Sequence, residues 1–186
     1  PQDTSPRQEH TALLVIDIQE RLMGVMDEES QLQMNRSICA LLGLAEGYSI
    51  PVYCTEQYPR GLGHTVTGIR ENLPKTTKII EKTEFSAVQN PAFQEILSQG
   101  LPEDILLTGM ETHICVLQTA VDLMALGYRV FVVRDGVASR AAENRENGLA
   151  LMQSEGAVIT NSETVIFQFL KKAEGPLFKK LSKLIR

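Results

Sequence analysis

The chain has 186 residues, which is the usual size of one globular domain and too short for two ordinary ones. Its composition, 43% hydrophobic and 22% charged, fits a packed core and excludes global disorder. Its net charge of −5 argues against sequence-independent binding of nucleic acid, because phosphates repel an acidic surface.

Short apolar runs alternate with helix-like stretches along the chain. Strands are predicted at residues 13–16, 51–54, 78–80, 104–108, 128–133 and 157–160, and helices at residues 29–46, 91–99, 113–126 and 141–154. Gly47 closes the first of these helices, Ser162 caps a further one, and residues 56–74 form a long loop rich in Gly and Pro. This alternation predicts an α/β fold, a three-layer, doubly wound domain around a mostly parallel six-stranded sheet.

The two ends of the chain are set apart from this domain, which spans residues 11–170. Residues 1–10 are a polar N-terminal arm. Residues 171–186 carry six basic and one acidic side chain, so the net charge of −5 leaves −10 on residues 1–170. Their apolar residues recur at offsets of three and four, which predicts a basic amphipathic helix. Such a helix usually docks on its own domain or on a subunit; binding to a membrane surface or an anionic partner is the alternative.

The lack of a secretory signal in residues 1–9 and the odd number of cysteines favour a reducing compartment. No apolar run approaches the ~20 residues that span a bilayer, and residues 1–9 lack the apolar stretch of a secretory signal. The three cysteines, Cys39, Cys54 and Cys115, cannot all pair within one chain. We therefore expect a cytoplasmic protein, or a mitochondrial one if a targeting segment has been removed.

Polar residues follow several predicted strands, where the chemistry of doubly wound sheets gathers. They are Asp17, the loop that begins at Glu56, Lys82, the turn Gly109–Cys115, and Asp135. The carboxyl ends of parallel strands share one edge of the sheet, so these residues are candidates for a common site.

Cys115 is the candidate nucleophile of this edge. A thiol in the first turn of a helix feels the positive end of the helix dipole, which favours the thiolate. Asp17 could take the thiol proton, and Lys82 could stabilise the anions that form. The alternative is a buried cysteine that packs like valine, and we keep that interpretation for Cys39 and Cys54.

Three segments resemble the signature segments of the isochorismatase-like cysteine hydrolases. They are Leu14–Gln19, Glu81–Ala87 and Gly109–Val116, in the family's order and each at a predicted strand end. The resemblance runs from about Thr11 to Phe169. The sequence of the third segment, together with that of Thr55–Pro59 upstream, is most similar to eukaryotic isochorismatase-domain-containing proteins and to trypanosomatid proteins described as mitochondrion-associated ribonuclease.

The resemblance implies the isochorismatase-like hydrolase fold and a set of catalytic roles. Cys115 would be the nucleophile, Asp17 the general base and Lys82 the third catalytic member. A non-proline cis peptide would fall at Met110–Glu111 and aim the N–H groups of Glu111 and Cys115 at an oxyanion. Family members that carry the cysteine hydrolyse amide-type bonds, so a small-molecule substrate with a C–N bond is implied, and dimers or larger homo-oligomers such as tetramers are expected.

Several residues are candidates for the substrate pocket. The resemblance places Leu22 and Thr112 there. Tyr58 and Phe85 could form its wall, although an exposed loop position for Tyr58 and a core position for Phe85 are the alternatives. His113 could line the pocket or simply begin a helix. Gln19 is a pocket candidate that could instead fix the backbone near Asp17.

Metal binding is not expected, and neither is a cofactor. Nicotinamidases of the family bind a metal through Asp and several His residues, whereas the matching loop has Glu56 and one histidine, His64. We therefore predict no metal and a surface position for His64. Glu111 occupies a position that is usually small and apolar in the family, so its carboxylate must point away from the oxyanion or contact substrate.

Two other functions compete with amide hydrolysis. The likeness to ribonuclease-described proteins raises nuclease activity, which the acidic domain disfavours because it offers neither a basic groove nor an aromatic platform for RNA. A non-catalytic interaction module on the same fold is the other alternative. The presence of Asp17, Lys82 and Cys115 argues against it.

Overall fold

The computed structural model describes residues 1–186. Six strands form its sheet: β1 (Thr11–Ile16), β2 (Val52–Gln57), β3 (Lys78–Lys82), β4 (Asp104–Met110), β5 (Arg129–Ala138) and β6 (Val158–Thr160). The helices are α1 (Glu20–Gly24), α2 (Glu28–Tyr48), α3 (Pro59–Leu62), α4 (Thr67–Arg70), α5 (Pro91–Gln99), α6 (Leu117–Ala125), α7 (Ala142–Ser154), α8 (Ser162–Leu170) and α9 (Gly175–Leu184).

The strands lie in the order β3-β2-β1-β4-β5-β6, and every neighbouring pair is parallel. Strands buried on both faces read as continuous apolar runs, which is why residues 13–16 and 104–108 predict them well. The predicted doubly wound α/β fold with a six-stranded sheet is confirmed.

Two apolar cores lie on the two faces of the sheet. Successive side chains of β1 alternate between them: Leu13 and Val15 face the core under α2, α8 and α9, whereas Leu14 and Ile16 face the core under α5, α6 and α7. No helix is both long and apolar enough to cross a membrane.

Helix α9 packs on α2 of the same chain. Leu181 is fully buried there, and Lys180 donates a hydrogen bond to Glu46 at 3.0 Å. The basic segment thus docks on its own domain through its apolar side, while Lys179 and Lys183 remain exposed.

Two predicted helix boundaries are wrong. Helix α2 continues through Gly47 to Tyr48, and Ser49 ends it in the left-handed region at φ 54°. The cap of α8 is Asn161, whose side chain accepts from the Thr164 N–H, and Ser162 is the first helical residue.

The chain between residues 56 and 74 is less loop-like than predicted. Strand β2 continues to Gln57 because the backbone of residues 56–57 pairs with β3, and the short helices α3 and α4 follow.

Strand β5 likewise runs past Asp135, since Gly109 and Met110 pair with Val137 and Ala138. Asp135 accepts hydrogen bonds from the backbone and side chain of Ser162, so it holds α8 and takes no place beside Cys115.

Asp104, the first residue of β4, ties the N-terminal arm to the sheet. This fully buried carboxylate accepts from Arg7 at 2.8 Å and from Arg129 at 2.8 Å. Burial alone would raise the pKa of Asp104, but the hydrogen bonds from Arg129 and Arg7 outweigh it and hold the pKa well below the usual range.

Gly109→Ala is expected to destabilise the fold severely. Gly109 has φ 126°, and a Cβ there would lie 2.1 Å from the carbonyl oxygen of Ile16 in the neighbouring strand. Strain and clash together should cost more than about 3 kcal/mol of the free energy of unfolding, measured by denaturant titration. Gly24→Ala is the control, because nothing lies within 4 Å of its Cβ position. Equal stability of the two variants would contradict this account.

Asp104→Asn is expected to flatten the acid dependence of stability. The carboxyl pKa is lower in the folded than in the unfolded state, so its contribution is complete above the unfolded value of about 4 and is lost as pH falls through the folded value. Melting temperatures between pH 6 and pH 2 should therefore fall less steeply in the variant. Glu155→Gln, at an exposed residue, should keep the parent profile. Identical slopes in parent and Asp104→Asn would refute the linkage.

Candidate active site

Asp17 directly follows β1 and is fully buried. Its backbone lies in the left-handed region at φ 53°, which turns the carboxylate towards the two strands on one side. Oδ1 accepts from the Thr55 hydroxyl at 2.7 Å, and Oδ2 accepts from Nζ of Lys82 at 2.9 Å. Thr55 pairs with Ile16 in the sheet, so strand register delivers its hydroxyl to Asp17.

Lys82 is the last residue of β3, and its side chain has no exposed surface. Besides Asp17, Nζ donates to Oε1 of Gln57 at 2.6 Å and to the carbonyl oxygens of Glu84 and Phe85 at 3.1 and 3.2 Å. A buried ammonium is costly unless it is paired and hydrogen-bonded, and this one is both.

Cys115 lies in a π-helical turn, Thr112–Val116, that joins β4 to α6. The Met110–Glu111 peptide bond just before this turn is cis. Cys115 is only 6% exposed, and Asp17 and Lys82 lie close enough to its thiol for both to act on its pKa. The structure thus brings Asp17, Lys82 and Cys115 together; we call these three residues the strand-end cluster.

The thiol of Cys115 is harder to ionise than its place near a helix start predicts. Burial raises its pKa to about 12, the charge of Asp17 acts in the same direction, and Lys82 only partly offsets them. The helix start therefore does not by itself activate the thiol, so of the two kinds of help that the sequence offers, the nearby base Asp17 is the one that a nucleophile here would need.

Glu111 directs its carboxylate to Arg140. The carboxylate accepts from the Arg140 backbone N–H at 2.9 Å and from its Nε at 3.1 Å. Glu111 is 6% exposed, so this is a nearly buried carboxylate whose charge is matched by one cation.

Gln19 does not line a pocket, which corrects that assignment. It is fully buried, its Nε2 donates to the carbonyls of Gln57 and Gly63 at 2.8 Å each, and its Oε1 accepts from the Gln57 N–H at 2.6 Å. Both polar atoms of the Gln19 amide therefore form hydrogen bonds to backbone, and Gln19 fixes the position of the segment that follows β2.

Tyr58 and Phe85 face different cavities. Tyr58 is 55% exposed and lines a cavity of about 320 Å³ together with Lys82 and Asn90. Phe85 is 54% exposed and lines a separate cavity of about 380 Å³ against α6 and α7, whose lining includes no member of the strand-end cluster. Phe85 is therefore not a core residue, and its carbonyl oxygen accepts a hydrogen bond from Lys82.

Three other pocket candidates have definite surroundings. Leu22 is half-buried and packs against the core under α2. Thr112 is fully buried, and its hydroxyl has no hydrogen-bond partner. His113 lies 2.9 Å from the Ser139 hydroxyl through Nδ1, so it ties the turn that carries Cys115 to the segment after β5.

The residues near His64 do not fit a metal site. His64 is exposed as predicted, yet it has the partner that the sequence does not reveal: its Nδ1 lies 3.0 Å from Oε1 of Glu56. The second oxygen of Glu56 accepts from the backbone and hydroxyl of Thr65. Both oxygens are thus engaged within the chain, and no group of three His, Cys, Asp or Glu side chains lies close enough to share an ion.

The remaining cysteines are free, and their sulfur atoms contact Thr65 and Gly68. Cys54 is fully buried in β2, its Sγ lies 3.5 Å from the Thr65 hydroxyl, and burial raises its pKa to about 12. Cys39 is half-buried in α2, its Sγ lies 3.7 Å from the Gly68 carbonyl oxygen, and burial also raises its thiol pKa. We therefore keep the interpretation of both as packing residues.

Comparisons with known proteins agree with this geometry. The isochorismatase domain model matches residues 11–164. Isochorismatase domain-containing protein 2A of Mus musculus is 36% identical over 180 residues, 96% of this chain and 84% of that protein. A solved structure described as MAR1 ribonuclease from Caenorhabditis elegans is 36% identical with a TM-score of 0.88, covering 97% of this chain and 92% of that one.

A more distant neighbour shares the fold alone. The YcaC gene product of Escherichia coli, described as an octameric hydrolase of unknown specificity, is 20% identical with a TM-score of 0.87. The alignment covers 99% of this chain and 90% of that one.

Asp17→Asn is expected to make Cys115 more reactive towards iodoacetamide, not less. The substitution removes the charge that raises the thiol pKa and leaves Lys82 beside the sulfur. The pH midpoint of alkylation, followed by peptide mass mapping, should fall by at least about one unit. Asp122→Asn on α6 is the control and should keep the parent midpoint. An unchanged or higher midpoint in Asp17→Asn would contradict this electrostatic account.

Proposed function

This chain belongs to the isochorismatase domain family, and we propose that it is a cysteine hydrolase that cleaves a small amide or a related C–N bond through a Cys115 thioester. The observation that carries the proposal is a nearly buried thiol placed close to a fully buried, ion-paired carboxylate. The carboxylate can take the thiol proton at the moment of attack, and the ammonium of Lys82 then stays beside the negative charge that develops.

The first step forms the thioester. Asp17 takes the thiol proton as the sulfur of Cys115 bonds to the substrate carbonyl carbon, whose π electrons move to oxygen. Collapse of this tetrahedral intermediate breaks the C–N bond, and the leaving nitrogen collects the proton from Asp17. Water then attacks the thioester with Asp17 again as the base, which releases the acid and restores the thiol.

Lys82 and Thr55 prepare Asp17 for this role. Each donates to one carboxylate oxygen, which fixes the orientation of Asp17. Gln57 holds Lys82 in turn, so that the ammonium stays beside the sulfur as negative charge develops. Both Thr55 and Gln57 are positioning residues in this mechanism.

The oxyanion of the tetrahedral intermediate would be held by the N–H groups of Glu111 and Cys115. Backbone donors fixed in a water-poor site stabilise such charge without reorganising during the reaction. Of the strand-end cluster, Lys82 lines a cavity of about 320 Å³ together with Tyr58, whereas Cys115 and Asp17 do not line it. A cavity of this size beside the ion pair supports a small-molecule substrate.

Assembly and compartment remain part of the proposal. We propose a homo-oligomer, which the octameric description of the E. coli neighbour supports only at the level of the fold. A cytoplasmic or mitochondrial location stays a prediction from the odd number of thiols.

Cys115→Ala is expected to abolish hydrolysis on a panel of small amides and N-carbamoyl compounds. Loss of the nucleophile should lower kcat/KM by at least about a thousandfold, measured as ammonia release. Mass spectrometry of the parent with a slow substrate should show one acyl group on the peptide that contains Cys115. Cys39→Ala removes a half-buried thiol far along α2 and should leave turnover unchanged.

Three results would replace this function. Hydrolysis that survives in Cys115→Ala would exclude the thioester. Cleavage of an RNA substrate by both parent and Cys115→Ala, with no turnover of the panel, would favour a nuclease. Partner binding without any turnover would favour an interaction module.

A further inference from the structure

Glu111 presents an electrostatic problem for the proposed hydrolysis. Its backbone N–H is a proposed oxyanion donor, while its own side chain carries a negative charge. The residue is 6% exposed, so water screens that charge poorly. Two like charges in a water-poor site repel, and an unpaired carboxylate there would oppose the formation of the oxyanion.

Arg140 pairs with the charge of Glu111 through three contacts to its carboxylate. Its Nε lies 3.1 and 3.2 Å from the two oxygens of Glu111, and its backbone N–H donates to Oε2 at 2.9 Å. The contacts match the charge and also fix the direction of the carboxylate.

The sheet delivers Arg140 to this position. Val137 and Ala138 at the end of β5 pair with Gly109 and Met110, so the residues after β5 lie beside the turn that carries Cys115. Ser139 and Arg140 are the first of these residues, and they contact His113 and Glu111 respectively. The turn is therefore held at two points by adjacent residues of one loop.

We propose that Arg140 is a positioning residue for the reaction. It neutralises and anchors the Glu111 carboxylate so that the oxyanion forms at the Glu111 N–H without repulsion. This inference rests on the proposed function. It differs from a simple stabilising ion pair such as Arg134–Glu146, whose side chains are both about half exposed, because the partner of Arg140 is nearly buried at the turn of the nucleophile.

The test separates oxyanion chemistry from nucleophile chemistry. Turnover of p-nitrophenyl acetate forms a tetrahedral oxyanion: the thioester bond forms, the ester C–O bond breaks, the thiol proton goes to Asp17 and the electron pair leaves with p-nitrophenolate. Alkylation of Cys115 by iodoacetamide forms no oxyanion. An uncompensated Glu111 charge near the oxyanion should therefore slow the turnover of p-nitrophenyl acetate and leave the rate of Cys115 alkylation unchanged.

Arg140→Ala and Arg140→Gln are expected to lower kcat for p-nitrophenyl acetate by at least about tenfold, with KM and the alkylation rate each within about threefold of the parent. Arg140→Lys keeps a positive charge and should retain intermediate activity. The double variant Glu111→Ala/Arg140→Ala removes the unmatched carboxylate, so its kcat should exceed that of Arg140→Ala by at least about threefold. Arg134→Ala, in the same strand as the residues that precede Arg140, is the matched control and should behave as the parent.

Two results would overturn this role. An unchanged kcat in both Arg140→Ala and Arg140→Gln would exclude it, with the hydrolase function intact. A double variant as slow as Arg140→Ala would assign Arg140 a purely structural role. If parent turnover does not exceed that of Cys115→Ala, the proposed function itself fails and the inference falls with it.

Discussion

The buried ion pair between Lys82 and Asp17 is the interaction on which the site depends. Neither side chain has exposed surface, and removing two charges from water costs several kcal/mol per ion unless ion pairing and hydrogen bonds offset that cost. The partners come from two separate segments: Thr55 and Gln57 on β2, and the carbonyls of residues 84 and 85. The register of β1, β2 and β3 must therefore be correct before the pair can form, which makes the charged site a consequence of the sheet.

The same edge of the sheet contains two constrained backbone positions. Asp17 has a positive φ without being glycine, and Gly109 lies so close to Ile16 that a side chain could not fit. Asp17 directly follows β1 and Gly109 lies near the end of β4, so both positions flank the point where carboxylate and thiol must meet. Backbone of this kind persists when surrounding packing determines it, and here two fully formed apolar cores lie directly below.

Much of the fold could be predicted from local pattern, and the positions of Asp17, Lys82 and Cys115 followed from it. Buried parallel strands read as apolar runs, and residues just beyond them share one edge. The contacts of Thr55, Gln57 and Arg140 escaped prediction because they join segments 25 to 38 residues apart and depend on strand register. The extent of β5 escaped for a different reason: Asp135 and Gly136 are typical turn residues, yet pairing with β4 keeps that strand extended.

The charge of the site follows from contacts between side chains more than from the helix that begins there. A helix start favours a thiolate, but burial and a neighbouring carboxylate outweigh it and keep the Cys115 proton in place. Asp17 is matched by Lys82, and Glu111 is matched by Arg140. The resting site therefore holds two neutralised ion pairs and one neutral thiol. In the proposed reaction the oxyanion is then the one charge that arises without a side-chain partner, which is why backbone donors at the turn would have the largest effect on the rate.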